Sequence, residues 1–315
     1  MNRLRIRWFV VIILSLCALK GWQRWDSRGE GFRLYKIQSS PSYDPRWETS
    51  FSSLELDEAK EALNQPYRYL AHGFQCYAFV SQDDKYVLKF FRHQRLRLPR
   101  LIMTIPSFPI FDEWRKRRLL TLSRRKDYLL RSFKTAWDLA KDENILIMVH
   151  LNATKGVFPN VEIRDLLDNR YSIDLDNYQF MLQRKADHIK TTLTSLMEEG
   201  KVDEAKKRVD AIFELFTHCA KKGIQDHDGA LIRKNNLGFF EDRAIYIDGG
   251  KLAPRKAPCS KKAFVKDLKR LMPLQKWLEE RYPELAQHFH TSWKMAVCTV
   301  KEANKSSVLG EQRSA

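Results

Sequence analysis

The spacing of apolar residues changes along the chain, and each change predicts a different kind of element. Residues 67–91 carry β-branched and aromatic side chains around turns, which is typical of strands. A helical period follows over 111–141. Four further strands are then expected, at 145–150, 156–163, 171–175 and 179–183.

The second half of the chain is mainly helical. Over 190–222, apolar residues such as Val202 and Val209 recur at helical spacing. A strand–loop–strand piece follows over 226–247. Two last helices are expected, at 261–271 and 274–295. A strand-rich first half with one helix, followed by a helical half with an inserted hairpin, predicts an α+β fold with segregated lobes.

A short apolar segment opens the chain. The run over residues 8–19 follows Arg3, Arg5 and Arg7 and ends before Lys20. A spanning helix needs roughly 20 apolar residues, whereas a basic stretch before a shorter run is typical of a signal peptide. An uncleaved short anchor and a buried N-terminal helix are the alternatives. We therefore expect a protein that is membrane-associated or exported.

These patterns divide the chain into four parts. We expect a signal or membrane-anchor segment, a polar linker, one folded domain and a loose tail, over residues 1–20, 21–57, 58–300 and 301–315. The linker assignment depends on turn-forming Ser, Pro and Asp residues, which are typical of connecting segments.

The chain is strongly basic, with 56 Lys and Arg against 39 Asp and Glu and a formal net charge of +17. Such an excess favours anionic partners. Basic residues are dense over 85–134, including 115–118 and 124–126 on one predicted helix. A solvated face, an anionic membrane surface and a nucleic acid are the alternatives. The apolar N-terminus favours the membrane, and no zinc-finger or RNA-binding motif supports nucleic acid.

Several classes of site lack their sequence motifs. The five cysteines form no CxxC pair, so neither a disulfide framework nor a paired-cysteine zinc site is expected. The chain also contains no G-x-S-x-G and no HExxH sequence. Hydrolase chemistry of those two types is therefore not favoured.

One lysine lies where the pattern predicts an apolar strand. Lys89 falls within Tyr-Val-Leu-Lys-Phe-Phe, and a lysine buried there needs an anionic partner. Upstream, a turn at Gly73 separates two strand-like arms. Together these residues resemble the glycine-rich loop and the third strand of protein kinases, although Gly73 is the single glycine of the loop. A plain hairpin with an edge lysine is the alternative.

A second resemblance to protein kinases lies over 223–250. A long helix precedes Asp226-His227-Asp228, and Asn235-Asn236 and Asp248-Gly249-Gly250 follow. This order is similar to H-R-D-x-x-x-x-N and D-F-G. It departs in a longer interval from Asp228 to either asparagine and in having two acidic residues where a kinase has one.

The resemblance implies a role for each of these residues. ATP and Mg²⁺ are the implied cofactors, with Lys89 and Gly73 at the phosphates. Asp228 would accept the proton of the attacking hydroxyl, and Asp248 with Asn236, or with Asn235, would hold Mg²⁺. Asp138 is the candidate acidic partner of Lys89.

The implied function is a membrane-associated kinase-like phosphotransferase that binds nucleotide, with an unknown phosphate acceptor. Two alternatives remain open. One is a catalytically inactive scaffold of the same fold, because fold does not ensure activity. The other is a basic membrane- or nucleic-acid-binding protein without a nucleotide site.

Overall fold

The computed structural model of the protein describes residue 13 and residues 31–39, 41–98, 109–229, 231–233 and 235–311. Apart from Ile13, the apolar segment expected over 1–20 lies outside these residues. Among the described residues, no helix combines the length and the apolar character needed to cross a membrane.

The described chain mixes helices and strands. The helices are α1 (Ser53–Leu63), α2 (Pro109–Ala140), α3 (Ile189–Glu198), α4 (Val202–Lys221), α5 (Lys261–Leu268), α6 (Met272–Arg281) and α7 (Pro283–Glu311). The strands are β1 (Tyr67–His72), β2 (Cys76–Ser81), β3 (Tyr86–Phe91), β4 (Leu146–His150), β5 (Asn160–Arg164), β6 (Arg170–Asp174), β7 (Phe180–Arg184), β8 (Asp187–His188), β9 (Ile224–Asp226), β10 (Leu237–Phe240), β11 (Arg243–Tyr246) and β12 (Leu252–Pro254).

The expected elements are confirmed in kind, and their bounds differ where backbone geometry intervenes. The helix expected over 190–222 is two helices, because Gly200 has φ +74° and ends α3. The strand expected from 156 begins at Asn160, since Gly156 has φ +68° in a turn. The helix expected over 274–295 is divided before Pro283, which starts α7 at a position that tolerates proline.

The chain divides into two compact units. Unit 1 comprises Met1–Tyr43, Lys60–Leu122 and Asn152–Phe180. It contains five neighbouring strands, in the order β3-β2-β1-β5-β6. Strands β1 to β3 are antiparallel neighbours, and β1 pairs with β5 in parallel.

Residues 31–39, which fall within the polar linker expected over 21–57, pack into unit 1. Phe32 is fully buried and meets the rings of Tyr77 and Phe79 edge to face, each with a centroid distance of 5.2 Å. The Tyr77 hydroxyl also donates to Gly31 O at 2.8 Å. Aromatic burial of this kind contributes core stability, so the segment is part of the folded unit.

Unit 2 comprises Asp44–Ala59, Ser123–Leu151 and Met181–Ala315. It contains the neighbouring strands β4 and, except for Phe180, β7. Its helical core packs α4 against α7, where the rings of Phe213 and Phe289 lie 4.9 Å apart. The tail expected over 301–315 continues α7 as far as Glu311.

Two small sheets in unit 2 carry the region that resembles a kinase catalytic loop. Strands β11, β10 and β8 form one sheet, and β12 pairs with β9 in the other. Gly238 of β10 is required by packing, because a Cβ there would lie 2.5 Å from Asp187 O. The small sheets fix the start and end of the loop between α4 and α5.

Candidate functional site

A short strand and the turn after it place two carboxylates in the interior of unit 2. Asp226 ends β9 opposite Leu252 of β12. Asp226 and Asp228 are 6% and 3% exposed, whereas His227 between them is exposed. The Asp228 N–H donates to Asp226 Oδ1 at 2.8 Å. The two acids are therefore held in one turn, and the first fixes the backbone of the second.

Arg270 binds this turn from the segment Lys269–Leu271. Its Nη1 donates to Asp226 O at 2.6 Å, its Nε donates to Asp228 O at 3.0 Å, and its Nη2 forms an ion pair with the Asp226 carboxylate. Burial raises the pKa of Asp226 above its ordinary value, although the guanidinium opposes the shift. The Arg270 contacts give Asp226 a structural role, and Asp228 remains the candidate acid of the site.

The Asp228 carboxylate receives a different donor on each oxygen. Lys251 Nζ lies 2.6 Å from Oδ1, and Asn236 Nδ2 donates to Oδ2 at 2.5 Å. Lys251 remains about one-third exposed, whereas the Asp228 side chain is almost wholly buried. A buried carboxylate needs such partners to stay ionised. The structure thus orients Asp228 by one amide and one cation.

The two asparagines left open by the sequence differ clearly in position. Asn236 is half-buried and contacts Asp228, and its N–H donates to Leu231 O at 2.9 Å. Asn235 is exposed and has φ +53°, a left-handed conformation that asparagine tolerates. Of the two, the structure brings Asn236 to the candidate acid.

Asp248 lies just beyond the β10–β11 hairpin. The Ile247 N–H donates to Asn236 O at 2.9 Å, so Asp248 follows the residue that pairs with Asn236. The half-buried Asp248 accepts the Gly250 N–H on Oδ1 at 3.0 Å. The hairpin therefore brings the backbones of Asn236 and Asp248 together at its open end.

Helix α2 and the turn after it fix the glycine turn that follows Asp248. A Cβ on Gly249 would lie 2.9 Å from Ala136 Cβ and 3.0 Å from Asn144 Oδ1. The buried Ser132 hydroxyl lies 3.1 Å from Gly249 O and 3.0 Å from Leu252 O. Glycine is therefore needed at 249 because α2 and Asn144 leave no space for a side chain.

The residues of unit 1 proposed for phosphate binding lie on β3 and in the turn between β1 and β2. Lys89 is 8% exposed on β3, in register with Ala78 of β2. Gly73 starts the turn between β1 and β2, and its N–H donates to Cys76 O at 2.9 Å. A Cβ on Gly73 would meet nothing within 4 Å, so the turn itself does not require glycine.

Asp138 lies on the surface of α2. Its side chain is 43% exposed, and Lys134 Nζ lies 3.1 Å from Oδ2, one helical turn away. This is an ordinary i, i+4 helix pair and contributes little to stability. Asp138 therefore has a partner within its own helix.

The residues near Asp228 that were expected to hold a metal ion carry oxygen donors. Within the described residues, no group of three or more His, Cys, Asp or Glu is arranged to hold a metal ion. The expected ligands are instead one amide oxygen, on Asn236, and one carboxylate, on Asp248. Mg²⁺ prefers oxygen ligands and usually completes its coordination with water and substrate phosphates. Asn236 turns Nδ2 to Asp228, which leaves its amide oxygen on the opposite side of Cγ.

Sequence reasoning missed Lys251 and Arg270. Each contacts Asp228 over a long separation, 23 residues for Lys251 and 42 for Arg270. Lys251 directly follows Asp248-Gly249-Gly250, which is the single local signal available. Arg270 lies among other lysines and arginines, so nothing in its neighbourhood distinguishes it.

No protein-family model and no curated protein matches the chain. The function of the site is therefore inferred from its own geometry.

Proposed function

We propose that the protein is a phosphotransferase of kinase-like, two-lobed fold that uses ATP and Mg²⁺. The observation that carries the proposal is the hydrogen bond between Asn236 and Asp228. Asp248 directly follows Ile247, which pairs with Asn236 across the hairpin. Phosphoryl transfer requires a proton acceptor, oxygen ligands for the metal and positive charge near the phosphates. In unit 2, Asp228 would supply the acceptor, and Asn236 and Asp248 the metal ligands. Lys89 is assigned to the phosphates by its resemblance to the strand lysine of protein kinases.

The role of each residue follows from its chemistry. Asp228 orients the attacking hydroxyl and accepts its proton, and Asn236 holds the carboxylate in place for that task. Asn236 and Asp248 would hold Mg²⁺, which neutralises phosphate charge when bound. Lys89 would bind phosphate oxygens as a cation, with Gly73 in the neighbouring turn.

Nucleotide binding is the first property to test, on the full-length chain because Phe32 belongs to a folded unit. Mg-ATP at a hundredfold excess over its dissociation constant should stabilise the parent by about 2.7 kcal/mol. We expect thermal unfolding to show this shift in the parent and in Asp242→Ala, and to lose it in Asp248→Ala. Asp242 is a suitable control because it is 94% exposed on the same hairpin. No shift in the parent at millimolar Mg-ATP would contradict the proposal.

Catalysis is tested separately from binding. Asp228→Asn keeps the size of the side chain and removes the proton acceptor. We expect ATP turnover to fall by about 10²–10⁴-fold, the usual contribution of a general base, while Mg-ATP still raises the unfolding midpoint. Equal turnover in the parent and in Asp228→Asn would exclude Asp228 as the base.

A nucleotide-binding scaffold without turnover is the second candidate function. Two observations favour it: the Gly73 N–H is already bonded to Cys76 O, and Lys251 forms an ion pair with Asp228. Both groups would have to change partners during catalysis. A parent protein that binds Mg-ATP but shows no ATP turnover, as in Asp228→Asn, would support the scaffold.

A further inference from the structure

The first turns of α2 expose a mixture of apolar and basic side chains. We define the α2 surface as Trp114, Lys116, Arg117, Arg118, Leu119 and Leu120, all of which are exposed. Trp114, Leu119 and Leu120 are 45%, 42% and 60% exposed. Between residues 113 and 125, every residue except Arg115 and Leu122 is exposed. Only a narrow face of this part of the helix therefore packs against the protein.

Among the described residues, one of the three cations of the α2 surface has a carboxylate partner. Lys116 pairs with Glu113 at 3.3 Å. Within the described residues, no carboxylate lies within ion-pair distance of Arg117 or Arg118. Charge continues along the helix at Arg124 and Arg125, both exposed. A dense positive surface of this kind attracts an anionic partner.

We propose that the α2 surface binds the headgroup layer of an anionic lipid bilayer. Each exposed apolar residue has a cation one helical turn away, because Trp114 precedes Arg117 and Arg118, and Leu120 follows Lys116 and Arg117. At a bilayer surface, leucine and tryptophan enter the acyl boundary while arginine and lysine reach the lipid phosphates. The inference is independent of the proposed phosphotransferase function.

Lipid is favoured over nucleic acid by the kind of apolar side chain exposed. Proteins that bind single-stranded nucleic acid stack bases on aromatic rings. Leu119 and Leu120 have no ring, and the Trp114 ring is already stacked on Phe111 at 5.3 Å. The apolar segment expected over 1–20, as an anchor, would bring the chain to the same membrane.

A second basic surface, on and just after α5, has positive charge without exposed leucine or aromatic side chains. On and just after α5, Lys261, Lys262, Lys266 and Lys269 are exposed around Val265, which is only partly exposed. No exposed leucine or aromatic residue lies among these lysines. This surface has cations without groups that enter the acyl boundary, and therefore supplies a control.

Amide hydrogen exchange of residues 113–121 in the full-length protein tests the proposal locally. The protein is mixed with vesicles of phosphatidylcholine alone or of phosphatidylcholine with phosphatidylserine. We expect these amides to be protected by the anionic vesicles only. Arg117→Gln combined with Arg118→Gln should raise the lipid concentration needed for half-maximal protection about thirtyfold, because two charges near an anionic surface contribute that factor to binding.

The control is Lys266→Gln combined with Lys269→Gln, which removes the same charge elsewhere and should leave the protection unchanged. Leu120→Gln should weaken it, because the leucine no longer enters the acyl boundary. Equal exchange with both kinds of vesicle, or an equal loss in the two double variants, would overturn the proposal. So would protection by single-stranded RNA without protection by anionic vesicles, or a Leu120→Gln variant that behaves like the parent.

Discussion

Asn236 donates its side-chain amide to Asp228 Oδ2 at 2.5 Å, across eight residues of chain. The turn between them is closed by the hydrogen bond from Asn236 N–H to Leu231 O. The left-handed conformation of Asn235 directs the chain into β10 and leaves Asn236 facing the acid. This turn accommodates eight residues from Asp228 to Asn236, an interval longer than that of the protein-kinase pattern that the sequence resembles.

Replacing Asn236 should destabilise the protein even without nucleotide. Asn236→Ala leaves one oxygen of the buried Asp228 carboxylate without its amide donor, which costs about 1–3 kcal/mol. Urea unfolding at neutral pH measures the change. Asn235→Gly is the matched control, because Asn235 is exposed and glycine accepts its positive φ. Equal losses in the two variants would contradict the assignment of Asn236 as the partner of Asp228.

Gly249 should not tolerate a side chain. Gly249→Ala would place Cβ against Ala136 and Asn144, and overpacking of this kind costs about 1–3 kcal/mol. The displaced turn should also reduce the Mg-ATP-dependent rise in unfolding midpoint, since Asp248 is its first residue. Gly229→Ala serves as the control, because a Cβ there meets nothing within 4 Å. A Gly249→Ala variant as stable as the parent would show that the packing against α2 is wrong.

The carboxylate of Asp176 in unit 1 should make stability depend on pH. Burial raises its pKa, but hydrogen bonds from Thr154 and from the backbone of Phe158 and Val157 outweigh burial, so the folded pKa is below the ordinary value of 3.8. The stabilisation is therefore present above the unfolded-state pKa and is lost as pH falls through the lower, folded-state pKa.

Asp176→Asn tests this dependence. The variant should lose about 1–3 kcal/mol at neutral pH, because the amide accepts fewer of the converging N–H groups. The difference from the parent should shrink as pH is lowered below about 4, because the unfolded chain then binds a proton that the folded Asp176 binds only at lower pH. Denaturant unfolding across this pH range measures the difference in stability. Asp168→Asn is the control, because Asp168 is exposed and has a left-handed backbone conformation. A difference that does not change with pH would refute the assignment.

Replacing Gly73 distinguishes a requirement for glycine in folding from a requirement for glycine in nucleotide binding. Its backbone does not have positive φ and a Cβ there would be unhindered, so Gly73→Ala should be neutral or stabilise by about 0.4–1 kcal/mol through the unfolded chain. If the turn approaches phosphates closely, the same variant should bind Mg-ATP more weakly than the parent. Calorimetric titration and urea unfolding of one preparation measure both effects. Unchanged nucleotide affinity would remove Gly73 from the proposed site.

The elements were predictable wherever local pattern decides them. The strand period around Lys89 and the helical period through Val209 identify β3 and α4 without tertiary information. Their bounds were less predictable, because Gly200 and Pro283 end helices through backbone geometry. The burial of Phe32 was not predicted, because its neighbours in the sequence are polar. Only its packing against the sheet shows that it belongs to the core.

The sequence by itself determined the kinds of elements, their order and the polar residues that stand out from apolar surroundings, because periodicity and burial cost act locally. It favoured Asn236 over Asn235 and Asp228 over Asp226 by their positions in the motif alone. Tertiary structure separated both pairs, through a left-handed turn in the first and through Arg270 in the second. It also brought Lys251 to Asp228. Contacts between residues far apart in the chain depend on how the hairpins and helices pack, which no local pattern encodes.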